Sequence, residues 1–148
     1  MDIAELLTQD RVIPSLRVSD KAQLLQELAR RTAALLNIPQ KTILDALEAR
    51  EKLGSTGLGQ GFALPHARIE GLDRFFGLFA RLARPIAYDA VDENPVDLVF
   101  LLLIPAEPGS DHMSILAAIS RRIRDQELAR RLRKGENAEA LHSLLAGG

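Results

Sequence analysis

The chain has 148 residues, 47% of them apolar and 26% charged, with a formal net charge of −1 at pH 7 and no cysteine. That length suits one compact domain, the apolar content excludes a disordered chain, and the near-neutral charge points to neither nucleic acid nor a membrane surface. Without cysteine there is no disulfide, no thiolate metal site and no cysteine nucleophile, which fits a reducing cytoplasm.

The N-terminal MDIAELLTQDRV carries acids early and no long apolar core, so it does not read as a secretory signal. In AQLLQELARRTAALL, residues Leu24, Leu25, Leu28, Thr32 and Leu35 fall on one side at helical spacing. A helix is expected from about Asp20 to Leu36, with Ser19 as its N-cap. Pro39, well tolerated in a first helical turn, opens a second helix through Ile43, Leu44 and Leu47 to about Glu51. That helix ends in EAREKLG and so delivers Arg50 to the mouth of a glycine-rich loop.

The loop, LGSTGLGQGFALPHAR, has glycines at 54, 57, 59 and 61, which free the backbone for positive φ and let amide N–H groups approach an anion. Pro65 biases Leu64 towards an extended conformation. His66 is therefore expected at the end of a short strand, with Leu58, Phe62 and Leu64 as an apolar rim. Between Asp73 and Ile86 the alternation of Arg81 with apolar neighbours predicts a strand. VDLVFLLLI, Val96 to Ile104, is a continuous apolar run of strand length and predicts a central strand covered on both faces. After PAEPGSDH, helical spacing returns from Met113 to Ile123, Gln126 to Arg133 and Asn137 to Leu145. The longest apolar run, Leu98 to Ala106, is less than half of the roughly 20 residues that cross a bilayer. No repeat or linker divides the chain. The expectation is one α/β domain over residues 1–148, a mixed parallel and antiparallel sheet flanked by helices on both sides. Between Arg121 and Lys134 stand seven basic and two acidic residues, read as a solvated helical face because no groove-reading or aromatic motif accompanies them.

Three histidines carry the chemistry. His66 follows the glycine loop, and His112 follows the turn after the central strand. Both are placed at strand ends, where functional groups gather in open α/β sheets, and they are expected to meet there. His142 flanks the stripe Leu141, Leu144 and Leu145 and reads as a surface residue. A metal site at His66 and His112 would need a third ligand such as Asp111 or Glu51, and no HxxxH spacing or carboxylate cluster supports it. The loop fails both nucleotide templates, since Phe62 rather than lysine follows Gly61 and G-x-G-x-x-G does not fit. Nucleophilic catalysis remains, with a neutral imidazole taking a group covalently. The loop glycines and Arg50 favour a phosphoryl group, because a guanidinium matches phosphate oxygens in a planar, two-point fashion.

The segment AREKLGSTGLGQGFALPHARIEGL resembles the active-site segment of type 2 EIIA domains of the bacterial phosphotransferase system, the mannitol/fructose class. There an arginine-glutamate pair, a Ser-Thr-Gly loop and an Ala-aliphatic-Pro-His step recur together. The histidine before MSILAAISR, His112, resembles that family's second active-site histidine. The resemblance implies that His66 accepts a phosphoryl group from an HPr-like phosphocarrier protein, that Arg50 and His112 surround it, and that Ser55, Thr56 and Gly57 are candidate phosphoryl contacts. It implies no cofactor, no metal, no nucleic acid, no membrane insertion and a cytoplasmic location. Gln60 stands where the family usually has asparagine, and Phe62 where a β-branched residue is common. With 148 residues there is no room for an EIIB or EIIC domain, so the chain is most similar to the standalone nitrogen-related regulatory EIIA, whose phosphorylation state acts on target proteins. The alternative is a separate EIIA subunit relaying phosphate to a sugar-specific EIIB.

Overall fold

A computed structural model describes residues 3–106 and 112–147, without the side chain of His112. Its first long helix, α2 (Lys21–Leu36), follows a one-turn helix α1 (Ile3–Leu6) and a strand β1 (Val12–Leu16). Asp20, not Ser19, is the N-cap of α2: its carboxylate accepts from Gln23 N–H at 2.8 Å, while Gln23 Oε1 reaches back to the N–H and hydroxyl of Ser19. This reciprocal arrangement is a capping box shifted by one residue, with the carboxylate taking the role expected of the serine. Helix α3 (Gln40–Lys52) starts after Pro39 as expected.

Four short or long strands then follow: β2 (Gly57–Gly59), β3 (Phe62–Ala63), β4 (His66–Ile69) and β5 (Phe76–Ile86). Strand β6 (Val96–Pro105) is the centre of the sheet, and three helices close the chain, α4 (His112–Ile123), α5 (Gln126–Lys134) and α6 (Ala138–Ala146). The strand order is β1-β5-β6-β3-β2, with β4 also paired to β6. β1 runs parallel to β5, β5 antiparallel to β6, β6 parallel to β3 and β4, and β2 antiparallel to β3, so the sheet is mixed.

The surroundings of strand β6 explain why its sequence from Leu98 to Ile104 is uninterrupted by polar residues. Val99, Leu101 and Leu103 pack with Leu24, Leu28, Ile43 and Leu47 of α2 and α3. Leu98, Phe100, Leu102 and Ile104 pack on the opposite face with Ile115, Ile119, Leu128, Leu132 and Leu141 of α4, α5 and α6. Helices thus cover both faces, and a strand buried on both has no polar alternation to show. At roughly 25 cal/mol per Å² of apolar surface removed from water, these two half-cores hold the sheet. Arg81 adds a polar tie, donating to the carbonyls of Pro14 (2.8 Å), Leu132 (2.9 Å) and Gly135 (2.7 Å), which fastens the end of α5 to the sheet. Among the described residues no helix is long and apolar enough to cross a membrane.

Candidate functional site

The site is built on a strand that breaks. Phe62 pairs with Leu98, Ala63 with Val99, His66 with Leu102 and Ala67 with Leu103, so β3 and β4 share one parallel register along β6. Between them Pro65 has no N–H to give the ladder. The Leu64 N–H turns instead to the Thr56 carbonyl at 2.9 Å, and Leu102 N–H bonds to the Pro65 carbonyl at 3.0 Å. His66 therefore opens β4 rather than ending a strand, because the proline that was expected to extend the chain also interrupts the pairing before it.

The Leu64 carbonyl faces the imidazole, with His66 Nδ1 at 2.8 Å. A carbonyl can only accept, so Nδ1 carries the proton and Nε2 the lone pair. His66 is half-buried. Burial pushes its pKa below the ordinary 6.5, against the hydrogen bond to Leu64; the Arg50 charge lowers it further and the Glu51 charge raises it. The result is an imidazole that is neutral at pH 7. Alternation from Ala63, Ala67 and Ile69, which pack towards α2 and α3, places His66 with Phe62 and Leu64 on the sheet face that carries α4.

Arg50, half-buried in the last turn of α3, donates Nη1 to the Gly54 carbonyl at 2.8 Å. Among the described residues its other N–H groups have no partner. Glu51, next in sequence, turns inward with its side chain only 7% exposed. Its Oε1 accepts from Lys21 Nζ at 2.9 Å and Thr56 N–H at 3.1 Å; its Oε2 accepts from the Thr56 hydroxyl and from the Tyr88 hydroxyl at 3.3 Å. Burial raises the Glu51 pKa, but the bonds from Thr56 and Lys21 outweigh it, and the net shift is downward. Burial and the neighbouring Glu51 charge keep the Tyr88 phenol protonated by raising its pKa. The Lys21 ammonium also lies 4.4 Å from the centre of the Tyr88 ring.

Three candidate phosphoryl contacts are occupied within the protein. The Ser55 hydroxyl donates to the Tyr88 carbonyl at 2.9 Å, Gly57 N–H donates to the Ser55 hydroxyl at 3.1 Å, and the Thr56 hydroxyl is held by Glu51. Gly57 is required by close approach, since a Cβ there would lie 2.8 Å from the Ala90 Cα. His112 opens α4, and its side chain, like Asp111, is outside the described residues, as is the meeting of the two histidines. Phe62 and Leu64 are core residues, 1% and 4% exposed, and not a rim, because they fill the α4 face of the sheet. The exposed apolar residues beside the loop are Leu53 and Val91. His142 is half-buried rather than simply on the surface: its Nε2 lies 2.9 Å from the Leu7 carbonyl, tying α6 to the N-terminal segment. In the basic stretch, Arg130 and Arg131 pair with Glu127 on their own helix and Arg133 with Asp97, as a solvated face requires.

Residues 5–147 match the family model described as phosphoenolpyruvate-dependent sugar phosphotransferase system, EIIA 2. The chain belongs to the EIIA type 2 family. This EIIA domain is 46% identical over 146 residues to a nitrogen regulatory protein of Bradyrhizobium diazoefficiens, covering 99% of this chain and 95% of that one. It is 34% identical to the nitrogen regulatory protein of Escherichia coli K12, over 98% and 90% of the two chains. The crystal structure of the nitrogen regulatory protein IIA-Ntr of Neisseria meningitidis superposes with a TM-score of 0.91 at 32% identity, covering 97% of this chain and 98% of that one.

Two residues of the EIIA site were not evident from the sequence. Lys21 and Tyr88 lie 30 and more positions from Glu51 along the chain, and they join it only because α2, α3 and the 87–95 connection converge. Tyr88, the sole tyrosine, carried no periodic or motif signal.

Proposed function

We propose that this EIIA domain accepts a phosphoryl group on Nε2 of His66 from a phosphohistidine of an HPr-like phosphocarrier, and that the state of His66 regulates target proteins in the cytoplasm. The observation that carries this reading is the His66 Nδ1 bond to the Leu64 carbonyl, which leaves the lone pair on Nε2, without a partner among the described residues, on a half-buried, neutral ring. In the transfer, the Nε2 lone pair forms a bond to phosphorus as the carrier's P–N bond breaks and its electrons return to the carrier's imidazole. No proton has to leave His66, because Nε2 bears none. Arg50, holding Gly54 with one nitrogen, offers its remaining donors to the equatorial oxygens. Catalysis of this kind is positioning and charge stabilisation, and His112 at the start of α4 is assigned the second side of the phosphoryl group. Ser55, Thr56 and Gly57 act here by shaping the loop. Regulation of other proteins is supported by the relatives named nitrogen regulatory proteins.

The test is incubation with a phosphorylated carrier. One acid-labile, alkali-stable phosphoryl group per chain is expected, absent in His66→Ala and indifferent to chelator; label that survives the substitution overturns the assignment. A relay role is the second reading, favoured by the 38% identity over 103 residues to a fructose-specific EIIA component of Haloferax volcanii, a match covering 70% of this chain and 67% of that one. Passage of the label to a sugar-specific EIIB would support it.

A further inference from the structure

Between the buried Glu51 carboxylate and the His66 ring runs an unbroken series of hydrogen bonds. Glu51 holds both the N–H and the hydroxyl of Thr56. The Thr56 carbonyl accepts from Leu64 N–H at 2.9 Å, and the Leu64 carbonyl meets His66 Nδ1 at 2.8 Å. Lys21 and Tyr88 grip the same carboxylate from α2 and from the 87–95 connection. Four parts of the chain thus fix one backbone carbonyl, and that carbonyl decides which imidazole nitrogen holds the proton.

We infer that Glu51 is a positioning residue for phosphoryl acceptance, acting through Thr56 and Leu64 to hold His66 in the tautomer whose lone pair is on Nε2. This deepens the reading of His66 as phosphoacceptor and rests on it. Glu51 touches neither the phosphoryl group nor the reacting nitrogen. It also orients the C-terminal turn of α3, where Arg50 stands next to it. Without the carboxylate, Thr56 loses two bonds at once, its hydroxyl keeps only the Tyr88 hydroxyl at 3.0 Å, and the Thr56 carbonyl that accepts from Leu64 N–H is held less firmly. A buried polar group bonded at every lone pair is a costly arrangement unless each partner is kept, which makes the network all-or-none.

Two near-isosteric variants test the inference, Glu51→Gln and Tyr88→Phe, each checked for the wild-type circular dichroism spectrum. The decisive readout is the pair of ¹⁵N shifts of the His66 ring in two-bond ¹H–¹⁵N correlation spectra of the unphosphorylated protein at pH 8. Wild type is expected to show a single Nδ1–H tautomer; Glu51→Gln should show a mixture, and Tyr88→Phe a smaller change in the same direction. Label transfer from a phosphorylated carrier to Glu51→Gln should slow by about tenfold or more, the order found when an outer partner that sets a histidine's tautomer is lost. A fully Nδ1–H His66 in both folded variants overturns the inference. Should Glu51→Gln not fold, Tyr88→Phe with an unchanged tautomer overturns it alone. The tautomer is read before any phosphoryl group is present, so its result is separate from the labelling of His66→Ala, which tests the function itself.

Discussion

Substituting Gly61 by alanine tests whether the hairpin that leads into His66 is held from outside by α5. Gly61 has φ +86°, and a Cβ there would lie 2.2 Å from Arg133 Nη2 and 2.8 Å from Asp97 Oδ1. Alanine in the left-handed region costs about 1–2 kcal/mol. The Arg133 guanidinium, which binds Asp97 at two points of 2.9 Å and the Gln60 carbonyl at 2.9 Å, would be displaced. For groups this exposed, those contacts amount to about 1 kcal/mol together. Reduced freedom of the unfolded chain offsets about 0.4–1 kcal/mol. The net expectation is a loss of about 1.5–2 kcal/mol, or about 5 °C in Tm for a chain of this size. Urea unfolding followed by circular dichroism, on wild type, Gly61→Ala, Arg133→Ala and the double variant, measures it. In the Arg133→Ala background the alanine should cost about 1 kcal/mol less, because the clash with Arg133 and the pair it would break are already gone. An equal cost in both backgrounds, or a single-variant loss below about 0.5 kcal/mol, would refute the reasoning.

Arg50→Ala should slow phosphoryl acceptance by on the order of a hundredfold, the scale for losing one preorganised transition-state donor, with His66 still the labelled residue; rapid-quench labelling measures it. Because the His66 pKa is lowered on folding, the unfolded chain takes the proton first, so stability is full above pH 6.5 and declines as pH falls from there towards the folded-state pKa. Urea midpoints at pH 7.5 and 5.5 should differ more for wild type than for His66→Ala, and parallel pH slopes would contradict a buried neutral ring.

The elements legible in the sequence were those set by local repetition. Helices α2 and α3 announced themselves by apolar spacing and by Pro39, and β6 by its apolar run from Leu98 to Ile104, the direct imprint of helices on both faces. Strand β1 was not legible: Pro14 sits inside VIPSL, and its edge position, which tolerates a proline, is a property of the assembled sheet. The glycine loop and its Pro-His step were recognisable as chemistry. The partner that orders the loop was not, since Lys21 and Tyr88 reach Glu51 across distances in sequence that carry no periodic trace. Phe62 and Leu64 illustrate the opposite error. Their neighbourhood to the histidine suggested a rim, whereas alternation along β6 assigns them to the interior.

The tautomer of His66 depends on a peptide carbonyl, and every amino acid has one. Whatever residue occupies position 64, the acceptor is present as long as the chain follows the same path past Pro65. Drift among apolar side chains at this site is therefore a matter of filling the space beside Phe62 and Leu98, paid in stability and not in reactivity. The chemistry of this domain is in that respect inherited through the course of its backbone, and it should outlast considerable turnover of the side chains around it.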